Sequence, residues 1–246
     1  MNLSRFFRFA AVGSLGLLPA EANAQTIDQA RAAFEEGRFL EAADLAESLG
    51  TSAGYALAAQ SLAVYGHYVA QEEDRIGFLE SAMELGEAAV RADSTNPEAH
   101  YQSSHAVGRY AQSIGKISAL GQGLAGKIRR LLEATLDNHP DFAEAHVGLG
   151  GWHADIASAG PFARMMYGAN RKSAVVHYER ALELAPDSKV VLLEYGIRLP
   201  ELDRKGGLER ARELLSKAVE LPVRNAHEEF IQQEVVQALE KLKMDR

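Results

Sequence analysis

Apolar residues recur at three- and four-residue spacing along almost the whole chain, within segments rich in Ala, Leu, Glu and Arg. That period gathers them on one face of an α-helix, and no period-2 run of β-branched residues competes with it. Residues that end or open helices fall at Gly37, Gly50, Asn96-Pro97, Pro140, Pro186, Gly206-Gly207 and Pro222. The pattern predicts helices in pairs: Thr26–Glu36 with Arg38–Leu49, Ser52–Ala70 with Glu73–Ala92, Pro97–Gln112 with Leu124–Asn138, Phe142–Ile156 with Asn170–Leu184, and Lys189–Leu199 with Leu208–Leu221. A last helix, Ala226–Leu242, carries Phe230, Val235, Leu239 and Leu242 at helical spacing. It is expected to cap the stack with one apolar and one solvated face.

Four helix ends look alike: Glu87-Ala88-Ala89-Val90, Leu132-Glu133-Ala134-Thr135, Glu179-Arg180-Ala181-Leu182 and Ser216-Lys217-Ala218-Val219. Two longer segments resemble the tetratricopeptide-repeat (TPR) motif. Phe34-Glu35-Glu36-Gly37-Arg38-Phe39-Leu40-Glu41-Ala42-Ala43 looks like its mid-repeat turn, and His177-Tyr178-Glu179-Arg180-Ala181-Leu182-Glu183-Leu184-Ala185-Pro186 like its close. In that family a Gly permits the turn between paired helices, an Ala lets them approach, and a Pro starts the next repeat. The family's repeat runs to about 34 residues, whereas Ala89 to Ala134 is 45, Ala134 to Ala181 is 47 and Ala181 to Ala218 is 37. The excess has a place in the Gly- and Ser-rich stretches Ser113–Gly123 and Ala157–Ala169, each between the helices of its pair, so both insertions should leave the same edge.

A further resemblance spans roughly residues 60–243. Asn96-Pro97-Glu98-Ala99-His100, Gly108-Arg109-Tyr110 and Glu220-Leu221-Pro222-Val223-Arg224 look like the regulator-of-microtubule-dynamics TPR family. The soluble T-components associated with TRAP transporters share the same general helical style. These resemblances imply an all-α fold, a right-handed α-solenoid of about five TPR-like helix pairs with a C-terminal capping helix.

Composition and charge narrow the role. The formal net charge is −8 and the basic residues are scattered, which argues against a general phosphate-backbone binder, so no nucleic-acid partner is expected. The chain opens Met-Asn-Leu-Ser-Arg-Phe-Phe-Arg, continues through an apolar stretch from Phe9 to Leu18, and reaches the small-residue sequence Ala22-Asn23-Ala24. That order reads as a secretory signal peptide over residues 1–24, leaving a solenoid domain over 25–246. The apolar run is about half of the ~20 residues needed to span a bilayer, so no stable membrane insertion is expected after cleavage. With no cysteine in the chain there is no disulfide and no thiolate site. A periplasmic location follows as the expectation, full secretion being the alternative.

Candidate chemistry is sparse. Gly121-Gln122-Gly123-Leu124-Ala125-Gly126-Lys127 imitates a phosphate loop, but no strand feeds it and Ile128 stands where a magnesium-holding Ser or Thr would follow the Lys. What survives is an anion at the helix start near Leu124, with Lys127, Arg129 and Arg130 nearby, set against a plain flexible linker. His146 and His153 share a helix face but lie about 10 Å apart along its axis, and no His-Glu-x-x-His occurs, so neither metal nor other cofactor is expected. Without a nucleophile elbow or an isolated carboxylate pair, nothing marks an enzyme.

Function is therefore expected from geometry. The first helix of each TPR pair lines the concave face, which places His67, Tyr68, His100, Tyr101, His105, Arg109, Tyr110, Trp152, His153 and Asp155 as candidate binding residues. The alternative for the aromatics is packing between helices, and for Arg109 with Asp155 a structural ion pair. In the second insertion Phe162, Arg164, Met165, Met166 and Tyr167 form an apolar, adaptable group that reads as a docking lip, a lid or a short tucked helix. The leading reading is a scaffold for a protein or peptide partner on the concave face. The alternative is a small-molecule or anion-binding accessory of a transport system, which an enclosed cavity would favour over an open groove.

Overall fold

The computed structural model describes the backbone of residues 18–244 and the side chains of residues 26–243. Thirteen helices are the only regular elements among the described residues. They run α1 (Leu18–Glu35) with α2 (Phe39–Glu47), then α3 (Ser52–Tyr68) with α4 (Glu72–Ala92). The third pair is α5 (Pro97–Ile114) with α7 (Leu124–Asn138), the short α6 (Lys116–Gly121) lying between them. The fourth is α8 (Ala143–Ser158) with α10 (Arg171–Leu184), separated by the short α9 (Pro161–Tyr167). The last pair is α11 (Lys189–Leu202) with α12 (Gly207–Glu220), followed by α13 (Ala226–Met244). The segment read as a leader lies outside the described residues except for the backbone of 18–24, where α1 already runs.

Polar residues next to the first turns explain several starts. Thr51 accepts from Gly54 N at 3.1 Å to open α3. Asn96 accepts from Glu98 N at 3.0 Å ahead of Pro97. Asn170 and Ser188 cap α10 and α11 in the same way. Each satisfies a backbone donor that the first turn leaves without a partner. Both insertions contain a helical turn, the first where a flexible linker was one expectation and the second where a short helix was. Gly115 and Gly160, at φ +83 and +113, break the preceding helices and let α6 and α9 start in new directions.

The inner helices succeed one another, α3 against α5 and α8 against α11, while α4, α7, α10 and α12 lie behind them. This is an α-solenoid. Its spacing depends on glycines at helix crossings. A Cβ on Gly86 of α4 would lie 2.7 Å from the Ser103 Cα of α5, and one on Gly150 of α8 would lie 2.9 Å from the Tyr178 ring of α10.

The last helix departs from the expectation of a simple end cap. Ile231, Val235 and Leu242 bury α13 in the core formed by α11 and α12. Its first turns, however, reach the opposite end of the solenoid. Phe230 stacks on Tyr68 of α3 at 4.8 Å and 4° and lies 6.3 Å from the ring of Phe39. His227 meets Phe34 edge-on at 5.9 Å. At Gly37, where φ is +83, an added Cβ would come within 3.0 Å of the Ala226 Cβ, so the motif glycine serves both the turn and this approach. The buried Lys189 fastens the same end of the helix from the other side, donating to Leu221 O at 2.6 Å and to Gln232 Oε1 at 2.7 Å. His227 and Glu234 thus turn inward beside Phe230, at i−3 and i+4 from it, because the curvature of five helix pairs brings the first pair back within reach of the last helix.

Candidate functional site: a donor-rich inner groove

Between the inner helices and α13 lies a half-buried polar groove centred on Arg109. Helical spacing puts Tyr101, His105 and Arg109 on one face of α5 at i, i+4 and i+8. The Arg109 Nε donates to His105 Nε2 at 3.2 Å, and Nη1 donates to His67 Nε2 at 3.1 Å and to Gln112 Oε1 at 3.3 Å. Nη2 reaches the Tyr68 hydroxyl at 3.5 Å, with the guanidinium 5.6 Å from the centre of that ring. Among the described residues no carboxylate comes within ion-pair distance of Arg109. A guanidinium can only donate, so both imidazoles must accept and stay neutral. Their titration agrees: burial, then the Arg109 charge, takes His67 down to about 3 and His105 well below the ordinary imidazole value. His227 falls to about 4 for the same two reasons.

Carboxylates stand further round the wall. Burial, opposed by Arg109, raises Glu234 of α13 above the usual carboxylate range. Burial also pushes the Tyr68 phenol up to about 12, with Glu234 and Glu194 adding to the effect. Glu194 of α11 acts as well on Tyr101, Tyr178 and Arg198. Asp155 pairs with Arg198 rather than with Arg109, through one short contact and a second at 3.3 Å. Burial opposes the Arg198 charge, but Asp155 more than compensates and holds that pKa above its ordinary value.

The groove presents hydrogen-bond donors that nothing among the described residues accepts. His105 receives at Nε2, so its Nδ1 carries the proton, and that buried atom has no partner among the described residues. The buried Arg198 Nε is likewise unpartnered among the described residues, as are His227 Nε2 and, in the core behind α8, the Tyr178 hydroxyl.

The other expected binding residues fall elsewhere. His100 is buried, and its Nε2 bonds Ser94 O at 2.9 Å, fixing the α4–α5 turn. Tyr110 faces the outer helix α4, 3.4 Å from Glu80 Oε1. Trp152 is core: its indole donates to Ala125 O at 2.8 Å under the guanidinium of Arg129. His153 joins a separate stack with His177, ring centres 5.7 Å apart, and His177 Nδ1 lies 3.0 Å from His146 Nδ1. Tertiary packing inserts His177 between two histidines that their own helix keeps apart, yet among the described residues no His, Cys, Asp or Glu trio is placed to hold a metal ion. At the helix start near Leu124, Lys127 is engaged with Glu87 and Arg129 with Glu133 and Tyr167 O, which leaves Arg130 as the one cation of that trio without an ion pair among the described residues. Phe162, Arg164, Met165 and Met166 are exposed on α9, with Tyr167 half-buried against the fold.

Sequence reasoning missed Glu194, Arg198, His227 and Glu234. The first two were within reach, since they occupy one face of the fifth inner helix at i and i+4, as His105 and Arg109 do on the third. Nothing local marks the α13 residues, whose role comes from the return of that helix across the groove.

The fold is similar to that of TTC0263, a thermophilic TPR protein of Thermus thermophilus, with a TM-score of 0.60 at 17% identity over 88% of this chain and 98% of that one. YrrB, described as a TPR protein with an unusual peptide-binding site, aligns at a TM-score of 0.46 and 15% identity over 92% of this chain and 94% of its own. No curated protein matches the sequence. Residues 26–243 match the model of the family "Regulator of microtubule dynamics protein 1-3", and the chain belongs to that family.

Proposed function

We propose that this chain is an exported binding scaffold whose inner groove takes a polypeptide segment rich in acceptors, an acidic stretch or a terminal carboxylate, against Arg109. The observation that carries the reading is the set of unpartnered donors. Arg109 has no carboxylate, and His105 Nδ1 and Arg198 Nε have no acceptor, among the described residues. Leaving such groups buried and unpaired costs roughly 1–3 kcal/mol each, a cost that an acceptor-bearing ligand removes. Peptide carbonyls and carboxylates are acceptors of that kind. α13 covers part of the groove in the free chain, so a partner segment would lie beside it or displace its first turns.

The reading is of binding rather than catalysis, because the Nε2 atoms of His67 and His105 already accept from Arg109 and neither is free to take a proton from a substrate. A leader over residues 1–24 would place the scaffold in the periplasm. The transport-accessory reading draws support from α13, whose roof over the groove would suit a small anion. Surface depressions of about 420 and 270 Å³, however, lie at the α10–α11 turn and beside α4, and Arg109 lines neither.

The test is capture from periplasmic extract by the full chain and by Arg109→Gln, with native mass spectrometry on the purified chain. A polypeptide retained by the parent and lost by the variant, at unchanged thermal stability, supports the scaffold. A retained small anion with no polypeptide partner overturns it in favour of the transport accessory.

A further inference from the structure

The two insertions share a chemistry that the groove does not use. Residues 113–132 contain Lys116, Lys127, Arg129 and Arg130, residues 156–178 contain Arg164, Arg171 and Lys172, and neither stretch has an Asp or Glu. These cations sit in a chain of net charge −8, so the rest of the chain is more acidic still. Lys127 and Arg129 are paired with Glu87 and Glu133. Lys116, Arg130, Arg164, Arg171 and Lys172 have no carboxylate in ion-pair contact among the described residues.

Large apolar side chains emerge among those cations. On α9, Ala163 and Tyr167 point inward onto Trp152 and Ile156, and Leu120 of α6 packs into the same cluster, so both short helices stand at one edge of the solenoid. The opposite face of α9 carries Phe162, Met165 and Met166 at i, i+3 and i+4, exposed to 67, 78 and 58%. On α6, Ile117 is 89% exposed. A water-soluble surface has no folding reason to hold four such side chains outward on two separate turns.

We propose that this edge is a peripheral docking surface for an anionic lipid bilayer. Phe162, Met165, Met166 and Ile117 enter the headgroup boundary while Lys116, Arg164, Arg171 and Lys172 meet the lipid phosphates. Two features favour a bilayer over a protein. The apolar residues stand 58 to 89% exposed on two separate short helices, which suits a fluid layer better than a shaped partner. The charged side chains of both insertions are all cationic, as an anionic leaflet attracts, while Glu80, Glu84 and Glu87 of α4 flank only the Gln122 end of α6. No helix of the described residues is long and apolar enough to cross a membrane, so contact would be reversible and confined to the interface.

The absence of cysteine makes a local test clean. Met165→Cys, and as a distant control Glu209→Cys on α12, each carry an environment-sensitive fluorophore on the full chain, mixed with vesicles of phosphatidylglycerol or of phosphatidylcholine. The expected result is a blue shift at position 165 with phosphatidylglycerol only. It should be lost at high salt, and adding Arg164→Glu with Arg171→Glu should weaken the vesicle affinity about a hundredfold. Because the readout is local to the lip, attachment through the apolar segment near the N-terminus cannot produce it. No shift with either vesicle overturns the proposal, as does an equal shift at both positions. Crosslinking of position 165 to a single protein, without vesicle response, would reassign the surface to a protein partner.

Discussion

The two ends of the solenoid are packed by different means. From α1 to α5 the buried residues are overwhelmingly alanines: Ala30, Ala43, Ala46, Ala58 and Ala59 form one cluster, and Ala63, Ala82 and Ala106 another. From α8 to α13 the core is built of Tyr178, Tyr195, Leu192, Leu193, Leu199, Leu215, Ile231 and Val235. Small residues let helix backbones approach closely and leave no room for additions, whereas large ones gain most from burial and leave a cavity when cut. The amino-terminal pairs should therefore be fragile to added volume and the carboxy-terminal pairs to lost volume. α13 joins the two regimes through Phe230 on Tyr68.

The largest effect should come from emptying the large-residue core. Leu215 is fully buried against Gly196, and Leu215→Ala should lose about 3–5 kcal/mol in denaturant unfolding. A loss below about 1 kcal/mol would mean that the C-terminal core relaxes as the alanine-packed end cannot.

Acid comes next. In the folded chain His67 titrates at about 3, and His177 and His227 at about 4, against an ordinary 6.5. Depressed values mean that the unfolded chain binds more protons, so stability is full above pH 6.5 and falls as pH drops toward 4. Discounted for solvent at these half-buried rings, the loss is on the order of 3 kcal/mol. Glu98 and Glu234, raised by burial, act in the opposite sense below their own pKa values and blunt the lower end of the curve. Thermal melts between pH 7 and 4 check this, and a flat profile would remove the neutral-imidazole account of Arg109.

Added volume at the alanine-packed end should cost somewhat less. In Gly86→Ala the new methyl would meet backbone at Ser103 Cα, not a flexible side chain, and about 1–3 kcal/mol should be lost. Ala59→Val, at a position with no exposure, would extend the test.

The smallest effect is expected at the junction. Phe230→Ala removes the stack on Tyr68 and should cost about 1–2 kcal/mol, since the ring is only partly buried. The sharper readout is hydrogen exchange: faster exchange in α1, α2 and the first turns of α13, with α11 and α12 unchanged, would show that the closure is a local unit.

Much of this architecture is legible along the chain because its causes are local. Period, prolines and caps located all eleven long helices, and the Gly37 turn and the Ala181–Pro186 close identified the repeat. The excess spacing between the repeat alanines located the insertions, and a short helix was one reading of the second, but not of the first, because six residues carry too little periodicity to register. The candidate groove was legible in part. His67, Tyr68, Tyr101, His105 and Arg109 do converge, because a face of one helix is encoded at i, i+4 and i+8. His100, Tyr110 and Trp152 do not, because inner-helix residues near a neighbouring pair are claimed by packing.

By itself, then, the sequence determined the helices, their pairing and the small or large character of each core, since these follow from periodicity and side-chain size over a few turns. Tertiary structure alone decided that the last helix returns to the first pair, that Asp155 finds Arg198, and that Arg109 is left among neutral imidazoles without a carboxylate. The first depends on the accumulated curvature of five helix pairs, and the other two on the apposition of successive inner helices, α8 with α11 and α3 with α5; none leaves a trace in the spacing along a single helix.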